Sequence, residues 1–409
     1  MTDPSPRLEG AVEARRDEQV GFLAEMVRVA SDNPPGDCAP HAERAAGLLA
    51  GLGLEVERHP VPEALVRDAG MATVTNLVIR RRFGDGPVIA LNAHGDVVPP
   101  GEGWTHDPYG AEVEEGWMYG RGVAVSKSDF ATYAFALLAL EQAPPARGAV
   151  ELHLTYDEEA GGLLGPKWLL EEGISRPDYA ISAGFSYGVV TAHNGCLHLE
   201  VELRGRSAHA AVPATGIDAL EAATGVLQAL YDHRADLGRT SSSVPGITHP
   251  SLTIGLIEGG INTNVVPDRV AFRLDRRMIP EEDPDAAETA LRELIERAAA
   301  RSPGISCTIR RILLARPLAP VGDAARLAEV LSRHASLVLG EEVPAVGVPL
   351  YTDARHYAEA GVPTVLYGAG PRTIEDANAH RADERLPLDV LPKATLVIAR
   401  SLAELLGSG

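Results

Sequence analysis

The sequence predicts an α/β chain whose mostly parallel sheet is flanked by helices and interrupted by an inserted α+β domain. Two observations carry this reading. Strand-length apolar runs alternate with longer helical patterns through the first part of the chain and again beyond Pro320, the rhythm of parallel strands joined by crossover helices. Between these stretches, after Asn194-Gly195, the order becomes strand, helix, strand, strand, helix, strand, a ferredoxin-like βαββαβ set. With 409 residues, 45% of them apolar, the chain has the length and the hydrophobic content for two cores.

Residues 11–53 carry a helical pattern broken at Asn33-Pro34-Pro35-Gly36, where two prolines and a glycine demand a turn or loop. Apolar runs at 72–80, 87–92, 149–155 and 179–182 read as strands, and 128–142 as a helix between two of them. The inserted set comprises strand 197–203, helix 218–233, strands 252–258 and 269–276, helix 285–301 and strand 306–314. Helix 324–339, strand 363–367 and a closing helix 392–406 return to the first domain. The expected division is therefore a discontinuous domain of residues 1–194 and 315–409 around an inserted domain of 195–314.

Charge narrows the partners. Thirty-seven basic against 57 acidic residues give a formal charge of -20, which offers no net positive field to draw nucleic acid or anionic membranes. A small molecule is the expected ligand. No run reaches the roughly 18 apolar residues of a membrane span, and MTDPSPRLEGAVEARRDEQ lacks the apolar core of a secretory signal, so the cytoplasm is the expected compartment. Cys38, Cys196 and Cys307 are odd in number and widely spaced, neither a disulfide framework nor a CxxC metal site, and read as small buried residues.

The chemistry-bearing residues follow strands. Leu91-Asn92-Ala93-His94-Gly95-Asp96 and Thr155-Tyr156-Asp157-Glu158-Glu159 each end an apolar run with metal-type or acid/base side chains, as a hydrolytic site at the carboxyl ends of α/β strands requires. Further blocks follow in order: GRSAHAAVPATGIDAL (205–220), INTNVVPD (261–268), LDRRMIP (274–280), YTDAR (351–355) and AHRADER (379–385). With HGDVVPPGEGWTHDPYGAEVEEGWMYGRG (94–122) and TYDEEAGG (155–162), they resemble the M20 family of zinc-dependent amidohydrolases and peptidases over nearly the whole chain. That family includes acetylornithine deacetylase, succinyl-diaminopimelate desuccinylase and glutamate carboxypeptidase.

The resemblance implies a two-zinc catalytic domain and an inserted lid or dimerisation domain. It makes His94 a ligand of the first metal and Asp96 the acid that orients it. Glu158 becomes the general base, and Glu159 with His380 the ligands of the second metal. It gives His209 the role of reaching across a homodimer to the scissile carbonyl, and Asn264 and Arg277 the polar end of the substrate. Gly368-Ala369-Gly370 looks like a glycine turn near the same pocket.

Two positions depart from the pattern. The aspartate that bridges both metals in the family, in a segment of the form xxDxKG after GRG, corresponds to Val125; the carboxylate after the next strand corresponds to Gly184. The loss of about two negative charges leaves His94, Glu159 and His380, a His₂Glu set sufficient for one zinc or other divalent ion. Asp129, four residues beyond Val125, is a further candidate ligand if that segment is already helical. Three functions stay open: amide hydrolysis of a carboxylate-bearing substrate with a depleted metal site, metal-free acid/base chemistry centred on Glu158, as in an isomerase, lyase or cyclase, and a non-catalytic binding protein.

Overall fold

The structure, a computed structural model, describes residues 4–407. Two compact units emerge: one holds the chain to Thr191 together with Pro320–Val346 and the residues from Thr352 on, the other Ala192–Ala319 with Gly347–Tyr351.

Along the chain the elements are α1 (Ser5–Ala14), α2 (Arg16–Val27), α3 (Ala39–Gly51), β1 (Glu57–Pro60), α4 (Glu63–Asp68), β2 (Thr75–Arg82), β3 (Val88–His94), β4 (Glu112–Glu114), β5 (Trp117–Tyr119), α5 (Lys127–Gln142), β6 (Ala149–Thr155), α6 (Pro166–Glu171), β7 (Tyr179–Ser182) and β8 (Val189–His193). The second unit contributes β9 (Gly195–Arg204), α7 (Ala219–Leu237), β10 (Ser251–Gly259), β11 (Arg269–Met278), α8 (Pro284–Ala299) and β12 (Ser306–Ala315). Then come α9 (Ala324–Leu339), β13 (Ala345–Val348), α10 (Ala354–Glu359), β14 (Thr364–Leu366), β15 (Arg385–Pro387) and α11 (Val390–Gly407).

The main sheet runs β1-β2-β6-β3-β7-β14-β8-β13. Its centre, β6-β3-β7-β14, is parallel, whereas β1, β2 and β8 pair antiparallel toward the edges. In β3 the period of two is visible in the packing: Ile89, Leu91 and Ala93 enter the main core, while Ala90 turns to the opposite face to meet Ala180, Tyr357 and Val362. Helix α5 is buried from Lys127 through Leu140 and packs against β3 and β6 as well as α1, α2 and α11. Its sequence, KSDFATYAFALLALEQ, has no polar stripe because it has no solvent face. Each Leu or Phe it buries contributes roughly 1.5–3 kcal/mol.

The second unit has the order β10-β11-β9-β12, all antiparallel, with α7 and α8 on one face. Leu197, Leu199, Val201 and Leu203 of β9 point to the helices and form the core with Val226, Leu230, Leu291 and Ile295. Their alternates, Cys196, His198, Glu200 and Glu202, lie on the opposite face. Asp218 and Asp283 cap α7 and α8 by accepting backbone N–H bonds from the first turn.

The short elements β1, β4, β5, β8, β13, β15, α4, α6 and α10 were not foreseen, since three to six residues carry too little periodicity. Among the described residues no helix is long and apolar enough to cross a membrane.

Candidate active site

The carboxyl ends of the parallel strands supply the site. His94 ends β3; Asp157, Glu158 and Glu159 follow β6; Gly184 follows β7; Gly368 follows β14. The two glutamates are not strand-end residues as the sequence suggested. They begin a 3₁₀ turn, Glu158–Ala160, and Asp96 holds that turn: its Oδ1 accepts the N–H of Glu158 at 3.2 Å and its Oδ2 that of Glu159 at 3.1 Å. Asn33 Nδ2 donates to Asp96 Oδ2 at 3.0 Å. Asp96 therefore fixes the acid/base turn directly, in addition to touching His94.

The His94 ring lies between the two acids. Its Nδ1 is 3.0 Å from the Asp96 carbonyl and 3.4 Å from Asp96 Oδ1, which directs Nε2 toward Glu158 Oε2 at 3.9 Å. Burial alone would depress this imidazole, but its bond to Asp96 and the charge of Glu158 outweigh burial and hold it well above its usual value. Burial pushes Glu158 up to about 7, against the pull of His94.

Other carboxyls crowd the same place. Burial and Glu158 raise Asp353 to about 8, and burial with Asp353 raises Asp157 well above the carboxylate range. Neither oxygen of Asp353 has a hydrogen-bond partner, nor has Asp157 Oδ1. Arg355 and His356 both reach the Gly161 carbonyl and so clamp the far end of the glutamate turn. Asn33, Asp157, Asp353, Arg355 and His356 had been given no role by the sequence. The signals for them were that Asp157 lay in TYDEEAGG, that YTDAR lay among the ordered blocks and that Asn33 opened the helical break.

His380 stands more exposed, its Nε2 3.4 Å from Glu159 Oε1, and this contact raises its pKa. Asn378, His380 and Asp383 all adopt left-handed backbone, with His380 at φ 61°, a conformation that surrounding structure must impose. Arg121 and Glu384, both buried, pair at 2.7 Å, and Glu384 Oε1 accepts the N–H of Ala124 at 3.1 Å. The GRG and AHRADER blocks thus meet and fix the segment that carries Val125. Next to it, Ser126 Oγ bonds the backbone N–H of His94 at 2.9 Å. Val125 lies beside the site as an alkyl group where the resemblance requires a carboxylate.

Asp129 sits in the first turn of α5, completely buried. Its Oδ1 accepts the Ala369 N–H at 2.7 Å, it also takes the Gly184 N–H, and burial pushes its carboxyl up to about 7. It braces the loops after β7 and β14 and does not belong to a group of converging metal donors. Gly368 is buried against it: a Cβ there would overlap the Asp129 carboxylate, and its carbonyl accepts from Ser186 Oγ at 2.8 Å. A packing requirement accounts for this glycine.

In the second unit, His209 and Asn264 are exposed neighbours. His209 bridges Val265, and Ala210 N–H donates to the Asn264 carbonyl at 2.9 Å. Arg277 grips Asp275 through Nε and Nη2, at 2.9 to 3.2 Å, and lies over the Tyr351 ring.

The donors at the main site decide what ion they fit. His94, Glu158 and Glu159 offer atoms within 4.8 Å of one another. One nitrogen and two carboxylates are donors of the kind a divalent cation takes. Val125 and Gly184 supply no side-chain oxygen at the two positions where the resemblance places further carboxylate ligands.

Residues 90–404 match peptidase family M20/M25/M40. The chain belongs to that family. It is 29% identical to the acetylornithine deacetylase of Myxococcus xanthus over 372 residues, covering 90% of this chain and 92% of the relative. It is 30% identical to the succinyl-diaminopimelate desuccinylase of Wolinella succinogenes over 331 residues, 77% and 84% of the two chains. The solved M20 family metallo-carboxypeptidase Sso-CP2 of Sulfolobus solfataricus shares the fold at a TM-score of 0.78 and 17% identity, covering 94% of this chain and 98% of that one. The M20 family is one of metal-dependent hydrolases, and this chain is a member of it.

Proposed function

We propose that the protein hydrolyses an amide bond of a small carboxylate-bearing substrate, an N-acyl amino acid or a dipeptide, with Glu158 as general base. The observation that carries this reading is the position of Glu158: partly buried, at about 7, its backbone tied to Asp96 and its carboxylate facing His94 Nε2. A base poised near neutral pH can take a proton and return it within one turnover. Glu158 removes a proton from water as the water oxygen attacks the carbonyl carbon. It then delivers that proton to the amide nitrogen as the C–N bond breaks, leaving a carboxylate and an amine.

His94 and Glu159, with His380 behind Glu159, are the residues that would hold one zinc or similar ion. Such an ion, when bound, supplies Lewis-acid polarisation of the carbonyl. Relatives named for removing acetyl and succinyl groups support an N-acyl substrate. The further roles of His209, Asn264 and Arg277 belong to this reading. So does a homodimer formed through the second unit, whose edge strand β10 exposes Leu256 and Ile257 next to an exposed Ile261. A cytoplasmic location is part of the same proposal.

The test is release of free amine from a panel of N-acyl amino acids and dipeptides, with and without added zinc or manganese, for the parent protein and Glu158→Gln. Turnover that disappears in the variant supports the reading. Turnover unchanged in Glu158→Gln, or a fully zinc- and manganese-loaded parent that cleaves nothing in the panel, would overturn it.

One observation favours a second reading. Val125 and Gly184 stand where the resemblance places two carboxylate ligands, while Glu158 keeps His94 Nε2 within 3.9 Å. That acid/base pair, with Asp353 at about 8 nearby, supports metal-free proton transfer by an isomerase, lyase or cyclase. Activity unaffected by chelator yet abolished in Glu158→Gln would select it.

A further inference from the structure

We propose that the second unit holds its own site for one soft divalent ion of the zinc class, formed by Cys196, His198 and Asp275. The site lies on the face of the sheet opposite α7 and α8. Along that face, successive positions of β9 carry Glu202 and Glu200, which pair with Arg269 at 2.6 Å and with Arg273 and Arg310 at 2.8 Å. The ladder of opposite charges then changes character. The next two positions, His198 and Cys196, replace glutamates with an imidazole and a thiol, and the residue directly across from His198 is Asp275.

The geometry is that of donors around one point. Cys196 Sγ lies 3.2 Å from His198 Nε2, and the same Nε2 lies 3.0 Å from Asp275 Oδ2. All three donors fall within 4.8 Å of one another. In a hydrogen-bonded relay the two ring nitrogens of a histidine serve different partners. Here one nitrogen faces both a sulfur and a carboxylate, and it can hold at most one proton. A cation at the point of convergence satisfies all three. Tetrahedral ligation at Zn–S about 2.3 Å and Zn–N about 2.05 Å separates sulfur from nitrogen by about 3.5 Å, and nitrogen from oxygen by about 3.3 Å. The present spacings need to open by only a few tenths of an ångström.

The surroundings suit an ion as well. Cys196 is fully buried, while the side chains of His198 and Asp275 are 34% and 29% exposed, so an ion enters from their side and keeps a fourth position for water. Arg277 fixes the Asp275 carboxylate through bonds to both its oxygens, as an outer partner orients a ligand. Binding requires the thiolate, so the Cys196 proton leaves to solvent and affinity rises with pH.

Cobalt(II) distinguishes this site from the first, because His94, Glu158 and Glu159 contain no sulfur. Titration of the metal-free full chain with cobalt should raise a near-ultraviolet thiolate-to-cobalt absorption that saturates at one equivalent per chain. It should survive in His94→Ala and vanish in Cys196→Ser. His198→Ala should weaken cobalt binding at this site at least tenfold, and zinc should bleach the band. The proposal is overturned if the folded parent shows no such band at saturating cobalt, which would leave the three groups as a hydrogen-bonded cluster. It is equally overturned if the band persists in Cys196→Ser, which would assign it to Cys38 or Cys307.

Discussion

The two clusters of metal-type side chains in this molecule are built in opposite ways. At the first, His94 ends β3, Glu158 begins the turn after β6, and loops hold both: Asp96, Asn33, Ser126 and the Arg121–Glu384 pair fix backbone, and the functional side chains face a space crowded with desolvated acids. At the second, Cys196, His198 and Asp275 stand on neighbouring strands, where the pleat aligns them and Arg277 fixes the carboxylate. The first is expensive to assemble and suited to a reacting proton. The second is a rigid platform with softer donors and few acids. The difference teaches that charge environment, more than donor count, separates an acid/base site from a holding site.

The sharpest break in this comparison is Glu158→Gln. It removes the base while leaving the turn's backbone bonds intact, so turnover should fall by roughly 10²–10⁴-fold with the native circular-dichroism spectrum retained. The proposed Cys196/His198/Asp275 site should bind cobalt as before. An equal loss of both properties would show that the two clusters are not independent.

Next in size is Asp96→Asn. The carboxylate accepts from Glu158 N–H, Glu159 N–H and Asn33 Nδ2. An amide has one accepting oxygen, and its NH₂ would oppose at least one donor. Turnover should drop by about 10- to 100-fold, the range found when an outer partner of a functional histidine is lost. Metal affinity at the first cluster should fall with it. Steady-state kinetics and cobalt titration read the two effects separately.

Restoring what the family pattern has lost is a third test. Val125 is only partly buried, so Val125→Asp has room for a carboxylate and should raise metal content at the first cluster by up to one ion per chain, read by elemental analysis. Gly184→Glu should fail as a restoration. A Cβ at Gly184 would meet Leu366 Cβ and the Tyr367 nitrogen, each at 2.9 Å, an overpacking worth roughly 1–3 kcal/mol. The two departures are therefore unequal: one removes a side chain that still fits, and the other is locked in by the neighbouring strand.

How much of this was legible in the sequence follows from where each feature gets its cause. The inserted βαββαβ set and the long elements were readable because periodicity is local: β6 covers the predicted 149–155, and α9 the predicted 324–339. The order of blocks pointed to the family, and with it to His94, Glu159 and His380 as candidate ligands and Glu158 as base; that His94, Glu158 and Glu159 converge, with His380 against Glu159, is a finding of the fold. The bracing of the glutamate turn by Asp96 could not be read, since it joins residues more than sixty positions apart through backbone N–H groups that leave no mark in sequence. Asp353 was hidden for a similar reason. A lone aspartate in YTDAR looks like any helix-terminal acid until the fold buries it beside Glu158. Asp129 was readable as an acid one turn into a helix, but its engagement with Ala369 comes from the first turn of α5 meeting the loop after β14, a tertiary fact. The Cys196 cluster needed the register of β9 against β11.

The smallest expected effect concerns Asp129 and separates a bracing acid from the reacting ones. Its folded pKa, about 7, lies above the ordinary 3.8, so the folded chain binds this proton more tightly than the unfolded chain. Where a native acid is raised, stability is greatest below the unfolded value and declines as pH rises toward the folded one. The penalty therefore develops between about pH 4 and pH 7 and is constant above. A gap of about three pKa units corresponds to at most about 4 kcal/mol. Asp129→Asn keeps an oxygen for the Ala369 N–H but forfeits part of the carboxylate's bonding to Gly184, so the net gain at pH 8 should be about 1–2 kcal/mol. Urea unfolding should give matching midpoints for parent and variant near pH 4 and a more stable variant at pH 8, with catalysis altered little. If the variant were instead less stable at pH 8 and metal content fell with it, Asp129 would be a ligand after all, and the first cluster would reach one helical turn deeper than its present donors.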